Sequence, residues 1–183
     1  MAGNRRKQIK RIFKELDEKV QPHILIETGT HKGHSTAIFS EYFTTVETIE
    51  INQNYYEKAM VFCEGIDNIS FHFGDSANIL KELCVAHKDP VIFFLDAHNV
   101  RVIPLVEEGF PLWDEIDTII GRNQSDIIVI DDVHTFGKQR PELTFNDELN
   151  WEEVTVGSIL KKIGKERVLK SYLVKDVFVI HLT

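Results

Sequence analysis

Two short apolar runs constrain this chain most: Val91-Ile92-Phe93-Phe94-Leu95 and Ile127-Ile128-Val129-Ile130 contain no polar residue. A strand with one wet face alternates apolar and polar side chains, so an unbroken apolar run of strand length must be covered on both faces. A parallel sheet sandwiched between helices provides that cover.

The rest of the chain supplies the partners. Ile9, Ile12, Phe13, Leu16 and Val20 recur at spacings of three and four, which predicts an amphipathic helix over residues 4–20, ended by Gln21-Pro22. A strand at 23–27, a glycine loop and a helix starting near Ser35 follow. The unit then repeats, with strands at 46–51 and 69–73 and helices at 53–64 and 77–86. Between the two apolar runs lie a loop over 99–110 and a helix starting near Pro111, and a helix over 153–163 ends at Gly164. Val168–Val174 and Val177–Leu182 are separated only by Lys175-Asp176, room for an antiparallel hairpin and not for a crossover helix. The expected class is α/β: a Rossmann-like doubly wound sheet of seven strands, mostly parallel, with an antiparallel C-terminal hairpin and helices on both faces. Residues 1–183 read as one domain: an N-terminal helix (1–21), a core (23–135), and a closing part (136–183) of loop, helix and hairpin.

Charge and cysteine content narrow the functional classes. Twenty-nine acidic against 21 basic side chains give a formal net charge of −8, which disfavours a non-specific nucleic-acid binder. The cluster Arg5, Arg6, Lys7, Lys10 and Arg11 reads as the solvated face of the first helix. Cys63 and Cys84 sit in apolar stretches and form neither a zinc pattern nor a disulfide framework, so a reduced, cytoplasmic protein is expected. No uncharged apolar run approaches membrane-spanning length, and no membrane partner is expected.

In open α/β sheets the ligand lies outside the carboxyl ends of the strands, so residues just after strands are the candidates. The first strand delivers Glu27-Thr28-Gly29-Thr30-His31-Lys32-Gly33-His34-Ser35-Thr36, with glycines for unusual backbone angles or close approach and Ser35 as the expected helix cap. This loop lacks the GxGxxG pattern of nicotinamide and flavin sites. Glu50, 21 residues after Gly29, falls where a carboxylate accepts from both ribose hydroxyls. Asp75 has two readings, acceptor for an adenine amino group or cap of the next helix. Asp96 and the pair Asp131-Asp132 end the two apolar strands; if those strands are neighbours about 4.8 Å apart, their carboxylates converge. Converging carboxylates either rise in pKa or hold a cation, and oxygen donors without cysteine suit Mg²⁺ or Mn²⁺.

Together these motifs resemble the class I S-adenosylmethionine-dependent methyltransferases, and among them the small metal-dependent O-methyltransferases of the catechol, caffeoyl-CoA and macrocin types. The resemblance covers residues 23–135 by motif and the remainder by strand order. It implies that Glu27, Thr28, Gly29, Thr30, Gly33, Ser35 and Thr36 surround the methionine part of S-adenosylmethionine. It further implies that Glu50 binds ribose, that Asp75 and Ser76 meet the adenine, and that Asp96 reaches both cofactor and metal. Asp96, Asp131 and Asp132 then hold the divalent ion that positions a hydroxyl of a small molecule or saccharide. Macrocin-type relatives carry a second aspartate two positions after the metal aspartate; here His98 stands there, as general base or added ligand. A nicotinamide-dependent oxidoreductase and a non-catalytic nucleotide- or partner-binding module are the rival readings. The chain has little room beyond the sheet, so acceptor recognition falls to its own loops or to a second subunit of a homo-oligomer.

Overall fold

A computed structural model describes residues 7, 9–13, 22–97, 111–138 and 151–183. Its strands are β1 (Ile24–Thr28), β2 (Thr45–Glu50), β3 (Ile69–Phe73), β4 (Val91–Leu95), β5 (Ile127–Ile130), β6 (Val168–Val174) and β7 (Val177–Leu182). The helices are α1 (His34–Phe39), α2 (Gln53–Phe62), α3 (Ser76–Ala86), α4 (Pro111–Ile120) and α5 (Val156–Ile163). All seven strands form one sheet in the order β3-β2-β1-β4-β5-β7-β6. β1 to β5 run parallel, and β7 lies antiparallel to both β5 and β6. The doubly wound sheet with a closing hairpin is the expected architecture.

Both faces of the two apolar strands are covered. Val91, Phe93, Leu95, Ile128 and Ile130 pack with Leu80 and Leu83 of α3, Leu112, Ile116 and Ile119 of α4, and Ile159 and Ile163 of α5. Ile92, Phe94, Ile127 and Val129 face the other layer, which contains Ile38 and Phe39 of α1 together with Ile9, Ile12 and Phe13. Residue 7 and residues 9–13 are helical; the other positions of the helix expected over 4–20 lie outside the described residues. Among the described residues no helix is long and apolar enough to cross a membrane.

Local chemistry sets the element ends, in places not as expected. α1 begins at His34 with Gly33 at its cap, in the left-handed region (φ 77°) and with no side-chain cap bond, so Ser35 is not the cap. The sharp turn at residue 33 requires glycine and places Ser35 already inside the first turn. α5 starts at Val156, later than expected, because Thr155 and Ser158 form a reciprocal capping box after a separate 3₁₀ turn at Trp151–Glu153. At the amino edge of the sheet, buried Asp126 accepts from the Val91 N–H (2.8 Å) and pairs with Arg122 (2.8 Å).

Candidate functional site

The strand order reverses between β1 and β4, and the loop after β1 lies over that point. Gly29 and Thr30 donate their N–H groups to the Ile49 carbonyl (2.9 and 3.2 Å), which ties the loop to β2. Gly29 has φ +86° and lies against the Asp96–Ala97 backbone. Gly33 serves a different contact from the ligand or strand approach expected of it. A Cβ there would lie 3.0 Å from Cys63 Sγ and 3.3 Å from Ala59 Cα, so its missing side chain admits α2.

Beneath the loop a hydroxyl and carboxylate network holds its shape. Glu27 Oε2 accepts from Thr36 Oγ1 (2.5 Å) and Thr48 Oγ1 (2.7 Å), and Thr30 Oγ1 meets Thr48 Oγ1 at 2.6 Å. Glu27, Thr28 and Thr36 are fully buried, so they shape the loop from below. Outside, His31 packs edge-on to Tyr55 and His34 against Phe62, which fastens the loop to α2.

Glu50 ends β2 with its carboxylate aimed by two backbone donors, His31 N–H to Oε2 (2.7 Å) and Asn52 N–H to Oε1 (2.8 Å). Burial raises its pKa and these hydrogen bonds oppose the rise. At the end of β3, Asp75 takes the capping role. Its Oδ1 accepts from the Ala77 N–H (3.1 Å) and its Oδ2 from Asn78 Nδ2 (2.9 Å). Ser76 turns inward and donates to Glu115 Oε1 at 2.6 Å.

Glu115, on α4, is a residue the strand-end search missed. It is fully buried, and burial pushes its pKa up to about 7; Ser76 and Thr28 resist that rise, while the charges of Asp75 and Asp114 add to it. Thr28 Oγ1 lies near enough to favour the charged form, yet neither it nor Glu115 Oε2 completes a hydrogen bond among the described residues. A sequence signal existed: Glu115 falls on the apolar stripe of Leu112, Ile116 and Ile119, where a carboxyl must go inside.

Asp96 and Asp131 follow the paired residues Leu95 and Ile130 on adjacent parallel strands, so the expected neighbourhood of the two strand ends is present. Asp96 N–H donates to the Thr28 carbonyl and Asp131 N–H to the Leu95 carbonyl, each at 3.1 Å. Asp131 is buried, with Oδ1 accepting from the Asp132 N–H (2.9 Å). Asp132 has φ 59° and its carboxylate approaches His134 Nδ1 (3.8 Å). The donor atoms that converge among the described residues, all within 4.8 Å of one another, belong to Asp132, His134 and Asp176. Asp176, in the β6–β7 turn, was not singled out from sequence; it accepts from the His134 N–H and meets its ring Nδ1, both at 2.7 Å. Of the three aspartates expected to share a cation, only Asp132 belongs to this converging group, and Asp96 and Asp131 are not among its members. His98 and the loop 99–110 lie outside the described residues, as does 139–150. Trp151 is buried and stacks on Phe136 (6.1 Å), which makes it a core residue.

No protein-family model and no curated protein matches the chain. Solved structures do. A Podospora anserina methyltransferase bound to S-adenosylhomocysteine is 19% identical, with a TM-score of 0.61 over 97% of this chain and 78% of that one. A SAM-dependent methyltransferase from Aquifex aeolicus is 16% identical, with a TM-score of 0.59 over 94% and 87%. A caffeoyl-CoA O-methyltransferase-like protein from Staphylococcus aureus is 15% identical, with a TM-score of 0.59 over 97% and 82%. The seven-stranded order, the reversal at β1 and β4 and these likenesses agree: the chain has the fold of the class I S-adenosylmethionine-dependent methyltransferases.

Proposed function

We propose that this protein transfers a methyl group from S-adenosylmethionine to a hydroxyl oxygen of a small molecule or saccharide. The observation that carries the reading is the Glu50 carboxylate. It is held at the tip of β2 by the His31 and Asn52 N–H groups, beside the Gly29 loop at the switch point, where it has lone pairs left for a ribose. The bound methyl donor supplies an electrophilic carbon on a cationic sulfonium, and a divalent ion supplies Lewis acidity that lowers the pKa of the acceptor hydroxyl.

The chain's own residues bind and orient. Gly29 admits the Asp96 backbone beside the loop, Glu50 takes the ribose, and Ser76 meets the adenine. Asp96, Asp131 and Asp132 would hold the cation, and His98 would take the acceptor's proton. Aligning two bound reactants lowers the barrier by several kcal/mol on its own. Calorimetry with S-adenosylhomocysteine tests the cofactor half, and absence of binding by folded protein at millimolar ligand would refute it. For the metal half, EDTA should abolish turnover and Asp131→Ala should lose activity that added Mg²⁺ does not restore. Turnover untouched by EDTA makes the three aspartates structural.

A further inference from the structure

Glu115 has no part in the reaction as proposed, and its surroundings are costly for a residue that only fills space. It is fully enclosed, and among the described residues Oε1 accepts only from the Ser76 hydroxyl, Oε2 completes no hydrogen bond although Thr28 Oγ1 is near, and no cation neutralises it. A serine hydroxyl has one hydrogen to give and lone pairs with which to receive. With that hydrogen committed to Glu115 Oε1 at 2.6 Å, Ser76 Oγ has only lone pairs left to offer a ligand.

We propose that Glu115 is a positioning residue that locks the Ser76 hydroxyl as an acceptor, and so selects a purine with an exocyclic amino group over one with an oxo group in its place. The inference rests on the cofactor reading above, which brings the adenine to Ser76. The neighbouring Asp75 carboxylate is engaged in starting α3, through Ala77 N–H and Asn78 Nδ2. An isolated serine would rotate and donate to an oxo group at little cost. Here that rotation strips Oε1 of the one hydrogen bond it makes among the described residues, where Oε2 completes none, leaving both oxygens of a buried carboxyl without a donor there. The oxo purine therefore meets an acceptor facing an acceptor.

The test compares, at about pH 9 where the Glu115 carboxyl with its pKa of about 7 is ionised, the Kd of S-adenosylhomocysteine with that of S-inosylhomocysteine by calorimetry, for the wild type, Ser76→Ala, Glu115→Gln and Glu115→Leu. The wild type should prefer the adenosyl ligand by about tenfold or more, the scale of one lost hydrogen bond in a dry site. Ser76→Ala and Glu115→Leu should each cut that preference at least about threefold, while Glu115→Gln, whose amide oxygen accepts the same hydrogen, should keep it. A folded Glu115→Leu protein that keeps the wild-type ratio overturns the inference, whatever its affinity. If that variant does not fold, Ser76→Ala decides: an unchanged ratio overturns the inference and a reduced one supports it. Wild type that binds the two ligands equally overturns the inference alone. Wild type that binds neither overturns the cofactor reading and the inference with it.

Discussion

Gly29 packs against Asp96 so closely that a Cβ on residue 29 would stand 2.5 Å from the Asp96 carbonyl oxygen and 2.8 Å from its carbonyl carbon. The obstacle is backbone and has no rotamer to escape into, and the glycine's φ of +86° is itself costly for any other residue. Gly29→Ala should therefore destabilise the protein by about 2–4 kcal/mol in urea unfolding and abolish S-adenosylhomocysteine binding. Gly65 is the internal control. It has φ +82° with nothing within 4 Å of a Cβ, so Gly65→Ala should cost only about 1 kcal/mol and leave binding intact.

Glu50 accepts two backbone N–H groups with its two oxygens. Gln at this position offers one oxygen and one amide NH₂, so one of the two donors loses its acceptor. Glu50→Gln should weaken S-adenosylhomocysteine at least about tenfold and cost about 1–2 kcal/mol of stability, read by calorimetry and urea unfolding.

Glu115 makes stability pH-dependent in a defined direction. Its folded pKa, about 7, lies above its ordinary 4.5, so the folded state binds the extra proton between those values. The associated stability is fully present below 4.5 and is lost as pH rises through about 7, a change of about 3 kcal/mol for this fully buried group. The difference in unfolding free energy between wild type and Glu115→Gln should therefore move in favour of the variant from pH 4.5 to pH 8. A difference that is flat across that interval removes Glu115 as the titrating group.

Glu47, on β2, works in the opposite direction. Its carboxylate meets His72 Nε2 (2.7 Å) and His87 Nε2 (3.1 Å), and these partners outweigh burial and hold its pKa below the ordinary value. A lowered carboxylate pKa contributes stability that is present above pH 4.5 and lost as pH falls through the folded value. Glu47→Gln should thus destabilise the protein at pH 6 and lose much of that penalty at pH 3, in urea titrations at the two pH values.

Arg122 offers a test of separability. Its guanidinium is almost wholly buried, pairs with Asp126, and donates to the carbonyls of Cys84, His87 and Asp89. Arg122→Ala leaves Asp126 buried without its cation and should cost about 3–5 kcal/mol. Because this clamp sits at the amino edge of the sheet, the protein that remains folded should bind S-adenosylhomocysteine with unchanged affinity.

Strand and helix order was legible because it rests on local periodicity. The runs at 91–95 and 127–130 have no polar position to expose, and Lys175-Asp176 leaves no room for a crossover. The strand-end aspartates were legible for the same reason, since the residue after a buried strand is found by counting. That Gly33 rather than Ser35 begins α1 was not, because glycine at 33 is demanded by the packing of α2 against it.

By itself, then, the amino-acid sequence determined the seven-stranded order of elements and the positions of Glu50, Asp96, Asp131 and Asp132 at strand ends. Tertiary structure alone decided which side chains meet. Ser76 finds Glu115 across 39 residues and His134 finds Asp176 across 42, on pairs of elements with no local pattern in common. Hydrophobic periodicity decides which face of an element is buried. The partner that a buried polar atom finds there depends on how helices and strands distant in sequence are laid side by side.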